Sequence, residues 1–210
     1  MMEQSHWGER KNSNPLNDKT TGTLKATGNP GGEKHISVQD NKIYFYSGVT
    51  RDAVSELNKK IGELESKCNN LSIGFEIPSP PIRIFINSGG GSITAGISAM
   101  DTMLRTSVPV HTYVDGFAAS AATFMSVAGT ERFMSRNSYM LIHQLTSSFW
   151  GTYANFEDEK ENLDLMMKTI KDVYKKYTKV PMKELNGILK HDLLWNADKC
   201  LEYGLIDEIV

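Results

Sequence analysis

Residues 108–127, VPVHTYVDGFAASAATFMSV, contain the turn on which the fold of this chain depends. Residues 108–114, which are rich in valine and also contain Thr112 and Tyr113, predict a strand, and residues 118–127, which are mostly small, predict a helix directly after it. Ser120 would then lie at a strand-to-helix turn, between neighbours too small to cover its hydroxyl. Such a turn can present a serine to a base, as the nucleophile of an acyl-transfer enzyme requires.

The sequence around this turn alternates between strand and helix patterns. Further strands are predicted at residues 42–46, 82–87, 131–134, 139–142 and 205–210, and helices at residues 92–105 and from the caps Thr50 and Asp52 to about residue 67. Pro181 opens a shorter helix, and Asn196 caps the last one. This alternation predicts an α/β fold with a largely parallel sheet covered by helices.

One predicted helix is unusually long. Residues 153–178 are mostly polar, with an apolar stripe that includes Leu163, Ile170 and Tyr177. At a rise of about 1.5 Å per residue the helix would extend roughly 39 Å, more than the core of so small a domain covers. We expect it to project and pack against another subunit. A surface helix lying on its own sheet is the alternative.

Composition excludes several classes of function. The 210 residues carry a net charge of −2 without a Lys/Arg cluster, so nucleic acid is not an expected partner. No apolar run approaches the roughly 18 residues that a membrane span needs, and the polar start lacks a signal-peptide core. Cys68 and Cys200 have no metal-ligand spacing and are expected to be reduced. These features predict a cytoplasmic protein without a metal.

The first 40 residues differ from the rest in composition. They are rich in Asn, Lys, Thr, Gly and Ser and contain few large apolar side chains. Such a segment cannot offset its own ordering entropy by burial. We therefore expect a flexible polar arm over residues 1–40 and one folded domain over residues 41–210. An ordered arm that binds a partner is the alternative.

His143 is the candidate base for Ser120. It directly follows the predicted strand at residues 139–142. Groups at the carboxyl ends of neighbouring parallel strands meet in one crevice, and histidine accepts a proton near neutral pH. Taken singly, Ser120 is equally well explained as a packing residue at a helix start, and His143 as a structural histidine.

The glycines at residues 89–91 favour the catalytic interpretation. They follow a predicted strand and precede a helix that starts near Ser92. Attack on a carbonyl creates an oxyanion, which backbone N–H donors stabilise, and glycine allows the close approach this needs. Gly90 or Gly91, together with the amide of Ala121, would form such a hole. A tight turn without function is the simpler alternative.

Two other uses of these glycines fit less well. A dinucleotide site would use Asp115 as its acidic residue, but its third glycine position is Thr94. A phosphate loop would need a lysine after the glycines, and none occurs between Lys67 and Lys160. The same gap disfavours a serine–lysine dyad.

The third member of a triad would be a carboxylate that orients the imidazole and stabilises its charged form. Spacing does not select one. The downstream candidates are Asp158, Asp164, Asp172 and Asp192.

From about residue 42 to residue 210 the chain resembles the proteolytic subunit of the Clp protease family. The matching motifs are FINSGGGSITAG (residues 85–96), DTM (101–103), GFAAS (116–120), LIHQ (141–144) and EYGLID (202–207). Their order and spacing are collinear over most of the chain.

This resemblance implies a serine endopeptidase with Ser120 as nucleophile, His143 as base and Asp192 as acid. It places the oxyanion donors at Gly91 and Ala121. It also implies the ββα spiral shared with crotonase-type enzymes, with the long helix projecting, and a homo-oligomer of two stacked heptameric rings that degrades unfolded polypeptides. A separate ATP-dependent unfoldase would feed the chamber, and this chain would need no cofactor.

Several positions depart from the family pattern. Gly89 and Leu145 replace prolines, and His191 replaces a basic residue that helps join the rings, so we expect a pH-sensitive ring contact. In the docking pocket for the unfoldase, Phe85 keeps an aromatic position, but Arg83 and Arg105 replace two others. Desolvating their charges is costly. These departures favour an unusual partner, as for a subunit encoded by a phage or virus.

Three alternatives to a chambered peptidase follow from the same residues. The chain could be a maturation protease that acts on assembly proteins, as in a phage head. It could also be a ring subunit whose triad is present but misaligned, and which has no catalytic role. An acyl-CoA enzyme on the same fold fits worst, because it would not use a complete Ser–His–Asp set.

Overall fold

Eight strands and six helices make up the fold of residues 35–210, the part of the chain that the structure, a computed structural model, describes. Residues 1–34, most of the expected arm, lie outside the described residues. In chain order the elements are β1 (His35–Gln39), β2 (Lys42–Tyr46), α1 (Arg51–Phe75), β3 (Ile82–Ser88), α2 (Ile93–Arg105), β4 (Val110–Ala119), α3 (Ala122–Val127), β5 (Glu131–Met134), β6 (Tyr139–Leu141), α4 (Tyr153–Tyr177), α5 (Met182–Ile188), β7 (Trp195–Asn196), α6 (Ala197–Glu202) and β8 (Glu208–Ile209).

The sheet is largely parallel, as the alternating pattern predicts. Its strand order is β1-β2-β3-β4-β5-β8. β1 runs antiparallel to β2, whereas β2, β3, β4, β5 and β8 are parallel to their neighbours along this order. The expected α/β class is confirmed.

Strand β4 has different neighbours along its two halves. Residues 111–114 pair with β5, and residues 117–119 pair with β6. Gly116 lies between the halves with a φ of 93°, a conformation that other residues rarely adopt. The end of β4 therefore leaves β5 and lies beside β6.

Helix α1 is longer than the sequence analysis predicts. Thr50 caps it as expected, accepting a hydrogen bond from the amide of Ala53 at 3.1 Å. The helix continues past residue 67 to Phe75, because Cys68 extends its buried stripe and Glu76 provides the left-handed cap at a φ of 53°.

Three other boundaries also differ from the predictions. Residues 118–119 complete β4, so α3 starts only at Ala122. The last strand is limited to β8, two residues long. β1 forms within the segment assigned to the arm. Its side chains are mostly exposed and it pairs through its backbone, so its composition carries no hydrophobic signal.

The two faces of the sheet carry different side chains. The inner face packs against helices, and residues such as Ile84, Leu57 and Met125 are fully buried there. Alternate residues point to the outer face. Four rings form a continuous row on it, here called the ring row: Tyr44, Phe85, Tyr113 and Phe133. Neighbouring ring centroids are 4.9, 4.6 and 4.6 Å apart, and each pair is stacked.

Helix α4 matches the long helix that the sequence predicts. Its buried residues, Ile170, Val173 and Tyr174, all lie in the last third. Apolar side chains in the earlier part are exposed: Phe156 is 58% and Leu165 is 64% accessible. These two side chains, both in the first two thirds of α4, thus lack an apolar cover from the rest of residues 35–210.

Within residues 35–210, no helix combines the length and apolar character required to cross a membrane.

Candidate active site

Ser120 occupies the turn between β4 and α3. Its φ is 54°, in the left-handed region that non-glycine residues rarely adopt. The Ser120 amide donates a hydrogen bond to the carbonyl oxygen of Leu141, the last residue of β6, at 2.9 Å. The turn is thus held in a strained conformation by the neighbouring strand. Such strain is typical of a serine presented as a nucleophile.

The other side of the Ser120 peptide is held by Thr123. The Thr123 hydroxyl donates to the Ser120 carbonyl oxygen at 2.6 Å, and the Thr123 amide donates to the same oxygen at 3.0 Å. The Thr123 hydroxyl also lies 2.7 Å from the phenol oxygen of Tyr174 on α4. Tyr174 is 1% exposed, and this burial raises its pKa. Ser120 is therefore connected to the buried end of the long helix.

His143 lies two residues beyond β6. Because residues 117–119 of β4 pair in parallel with β6, the segments that carry Ser120 and His143 leave the sheet at the same edge. The amide of Gln144 donates to the carbonyl oxygen of Leu189, just after α5, at 2.7 Å. This bond holds the chain around His143 next to the loop that contains Asp192.

Asp192 contacts the histidine. Its Oδ1 lies 3.3 Å from Nδ1 of His143. The Asp192 side chain is 76% exposed and that of His143 is 25% exposed, so the pair opens to solvent on the carboxylate side. With Nδ1 directed to Asp192, Nε2 is the nitrogen left for a serine. Within residues 35–210, however, no hydrogen bond joins the Ser120 hydroxyl to His143.

The other three carboxylates that spacing left open are all on α4. Asp164 pairs with Lys160 at 2.6 Å. Asp158 and Asp172 are exposed. Of the four candidates, Asp192 is the one whose carboxylate contacts His143.

The glycine loop lies directly against the serine turn. A Cβ on Gly90 would be 2.6 Å from the carbonyl oxygen of Ala119 and 2.7 Å from Cβ of Ser120, and Gly90 has a φ of 90°. Any other residue there would collide with the turn. The glycine run predicts a close approach of two backbone segments, and this approach occurs between Gly90 and the serine turn.

The amides of this loop differ in availability. The Gly90 amide donates to Oγ of Ser88 at 3.2 Å, so it is already used. The Gly90 carbonyl accepts from the amide of Val49 at 2.8 Å. In a trans peptide the N–H points opposite to the C=O, so the Gly91 N–H points away from Val49. This makes Gly91, rather than Gly90, the loop donor that remains for an oxyanion, with Ala121 directly after the serine.

Sequence reasoning missed the residues that hold this loop and the histidine. Val49 forms a parallel bridge with Gly91, and its carbonyl accepts from the Ser92 amide at 2.8 Å. Leu189 holds Gln144 through its backbone. Both act through main-chain atoms, so their side chains give no local signal.

A serine in a strained turn, a histidine two residues beyond the neighbouring strand and a carboxylate in contact with that histidine are the arrangement typical of serine hydrolases. Comparison with known families makes the assignment specific. The family model described as Clp protease matches residues 38–210, and the chain belongs to this family. The resemblance inferred from the motifs is confirmed.

A solved structure supports the fold. A point mutant of ClpP1 from Listeria monocytogenes superimposes with a TM-score of 0.71 over 81% of this chain and 91% of that chain, at 23% sequence identity. At this identity the likeness is one of fold. The chain is thus a member of a peptidase family with the corresponding architecture.

Proposed function

We propose that this chain is a serine endopeptidase that uses Ser120, His143 and Asp192 as its triad. The observation that carries the proposal is the 3.3 Å contact between Nδ1 of His143 and Asp192, at the same sheet edge as the strained turn of Ser120. An aspartate on Nδ1 fixes the tautomer in which Nε2 is unprotonated and can accept the proton of the serine.

The chemistry follows from these positions. Oγ of Ser120 attacks the scissile carbonyl while its proton passes to Nε2 of His143. The oxyanion that forms accepts hydrogen bonds from the amides of Gly91 and Ala121. His143 then donates the proton to the leaving amine, which gives the acyl-enzyme. Water, deprotonated by the same imidazole, releases the acid and restores the serine. No cofactor is required for these steps.

We also propose that the active form is a homo-oligomer of stacked heptameric rings. The exposed apolar side chains of α4 support this, among them Tyr153 at 77% and Phe156 at 58% accessibility. A second subunit would bury them. A closed chamber would admit only unfolded polypeptides, supplied by a separate ATP-dependent unfoldase. Mass photometry of the full chain tests the assembly, and a monomer at micromolar concentration would contradict it.

A fluorophosphonate probe tests the nucleophile. We expect the probe to modify one serine of the full-length protein, and Ser120→Ala to remove both the adduct and more than about 10⁴-fold of peptide hydrolysis. Ser55→Ala is the matched control, because Ser55 is exposed on α1. An adduct that persists in Ser120→Ala would contradict the assignment.

One observation favours a second candidate, the non-catalytic ring subunit. No hydrogen bond joins Ser120 to His143 within residues 35–210, which is the geometry of a misaligned triad. Catalytic hydrogen bonds are often long without substrate, so we rank this candidate second. Assembled rings that neither react with the probe nor cleave peptides would establish it.

A further inference from the structure

A cavity of about 320 Å³ opens beside the glycine loop. Its wall begins with Gly91 and the first residues of α2, continues along the segment after His143, and is completed by the first half of α4. The volume is at the lower end of the range for small-ligand pockets, about 300–1,000 Å³. A hollow of this size is large enough to receive one side chain of an extended peptide.

The position of Gly91 indicates which side chain this is. In the proposed mechanism the Gly91 amide binds the carbonyl oxygen at the scissile bond. That carbonyl belongs to the residue on the acyl side of the bond, P1. Because Gly91 itself lines the cavity, the P1 side chain of a substrate bound in this way would lie next to the cavity and could enter it.

The lining of the cavity is amphipathic. Apolar side chains form one part of it: Ile93, Leu163 and Met166. Polar side chains form another: Ser147, Glu159 and Asn162. A purely aliphatic P1 side chain would leave this polar part without partners. A long side chain with an apolar stem and a polar end would satisfy both.

Glu159 is the one ionisable residue among those that line the cavity. It is partly buried, and its Oε1 accepts a hydrogen bond from Oγ of Ser147 at 3.3 Å. The adjacent cation, Lys160, is bound to Asp164 at 2.6 Å. The carboxylate of Glu159 is thus the source of negative charge in the cavity and can pair with a cation there.

We propose that Glu159 makes this cavity selective for lysine or arginine at P1. The aliphatic stem of either residue would pack on Ile93, Leu163 and Met166, while the ammonium or guanidinium group would bind the Glu159 carboxylate. The inference rests on the proposed function of Ser120, because it defines P1 through the oxyanion donor Gly91.

The experiment compares fluorogenic peptides that differ only at P1, which is lysine, arginine or norleucine. Norleucine has the lysine stem without the charge. With the full-length protein we expect kcat/KM to be about tenfold higher for lysine than for norleucine, and Glu159→Gln to remove this preference. Glu161→Gln is the matched control. Glu161 is an exposed carboxylate two residues along α4 and does not line the cavity.

The possible results distinguish the two proposals. Equal or better cleavage of the norleucine peptide by the unmodified protein would overturn the P1 inference and leave the peptidase intact. The P1 inference would also be overturned if Glu159→Gln kept the preference for lysine, or if Glu161→Gln lost this preference to the same extent as Glu159→Gln. Failure to cleave any of the peptides, together with an unreactive Ser120, would remove the proposed function and this inference with it.

Discussion

The sheet edge that carries Ser120 and the outer face that carries the ring row are built in different ways. At the edge, main-chain hydrogen bonds determine the geometry: Ser120 to Leu141, Gln144 to Leu189 and Val49 to Gly90. On the outer face, side chains from four strands stack on one another. A motif of consecutive residues indicates the sheet edge that carries Ser120. The ring row depends instead on the register between strands.

The outer face also shows which side chains the register between strands places side by side. In the register between the strands, Arg83 on β3 lies opposite Lys42 on β2 and opposite His111 on β4. His111 in turn lies opposite Glu131 on β5. This polar row lies beside the ring row, two residues away along each strand. Arg105 is exposed at the end of α2. The sequence draws attention to Phe85, Arg83 and Arg105, but it does not indicate that three further rings join Phe85 in one row.

Substitutions in the two regions should therefore have separable effects on the catalytic rate and on stability. Exchange of a catalytic side chain at the sheet edge should lower the catalytic rate with little change in stability, whereas exchange of a ring on the outer face should lower stability without changing the rate.

Among the substitutions that test this separation, Asp192→Asn has the largest expected effect, which is on the rate. An asparagine keeps the shape but cannot stabilise a charged imidazole, and it favours the wrong tautomer. We expect kcat/KM to fall by about 10⁴-fold, with an unchanged midpoint of urea unfolding. Asp172→Asn, an exposed carboxylate on α4, is the control and should keep full activity. Equal losses in both variants would remove Asp192 from the triad.

Gly90→Ala should affect both rate and stability. Its Cβ would lie 2.6 Å from the Ala119 carbonyl oxygen, so the glycine loop must move away from the serine turn. A displacement of about 1 Å at a catalytic site can cost about 10²-fold in rate, and we expect a loss of that size in kcat/KM. Gly62→Ala is the control: nothing lies within 4 Å of its Cβ on α1, and it should stabilise the protein by about 0.5–1 kcal/mol. Full activity of Gly90→Ala would show that the close contact is not needed.

The smallest expected effect comes from the ring row. Tyr113 stacks on Phe85 and on Phe133, both at 4.6 Å. Each aromatic pair contributes about 0.5–1.5 kcal/mol beyond burial, so Tyr113→Leu should lower the free energy of unfolding by about 1–3 kcal/mol. The rate of fluorophosphonate labelling should not change. Tyr139→Leu, at a tyrosine 45% exposed on β6, should shift stability by less than about 0.5 kcal/mol. A slower labelling rate in Tyr113→Leu would break the separation between the two regions.

These differences explain which parts of the fold can be predicted from the sequence. Hydrophobic periodicity predicts the parallel strands and the long helix, because burying one face of an element requires apolar residues at regular intervals. It does not predict β1, whose side chains are mostly exposed, or the division of β4 between β5 and β6 at Gly116. Both depend on backbone pairing with distant residues.

The candidate site is divided in the same way. Ser120, His143 and the glycines are recognisable because they follow strands directly. The acid is not, since Asp192 lies on a loop at no fixed spacing from His143, and four carboxylates were equivalent until the resemblance implied one. The geometry adds the Asp192 contact and explains why Gly91, rather than Gly90, remains as a donor.

The hydroxyls behind Ser120 also fix a direction of proton donation. A threonine hydroxyl has one proton, and that of Thr123 is used on the Ser120 carbonyl, which can only accept. Tyr174 must therefore supply the proton between the two hydroxyls, so donation runs one way from phenol to threonine to carbonyl. Ionisation of the phenol would interrupt this series of hydrogen bonds. A phenol is already protonated at neutral pH, and burial raises the pKa of Tyr174 further, so the buried end of α4 remains a proton donor to the serine turn well above neutral pH.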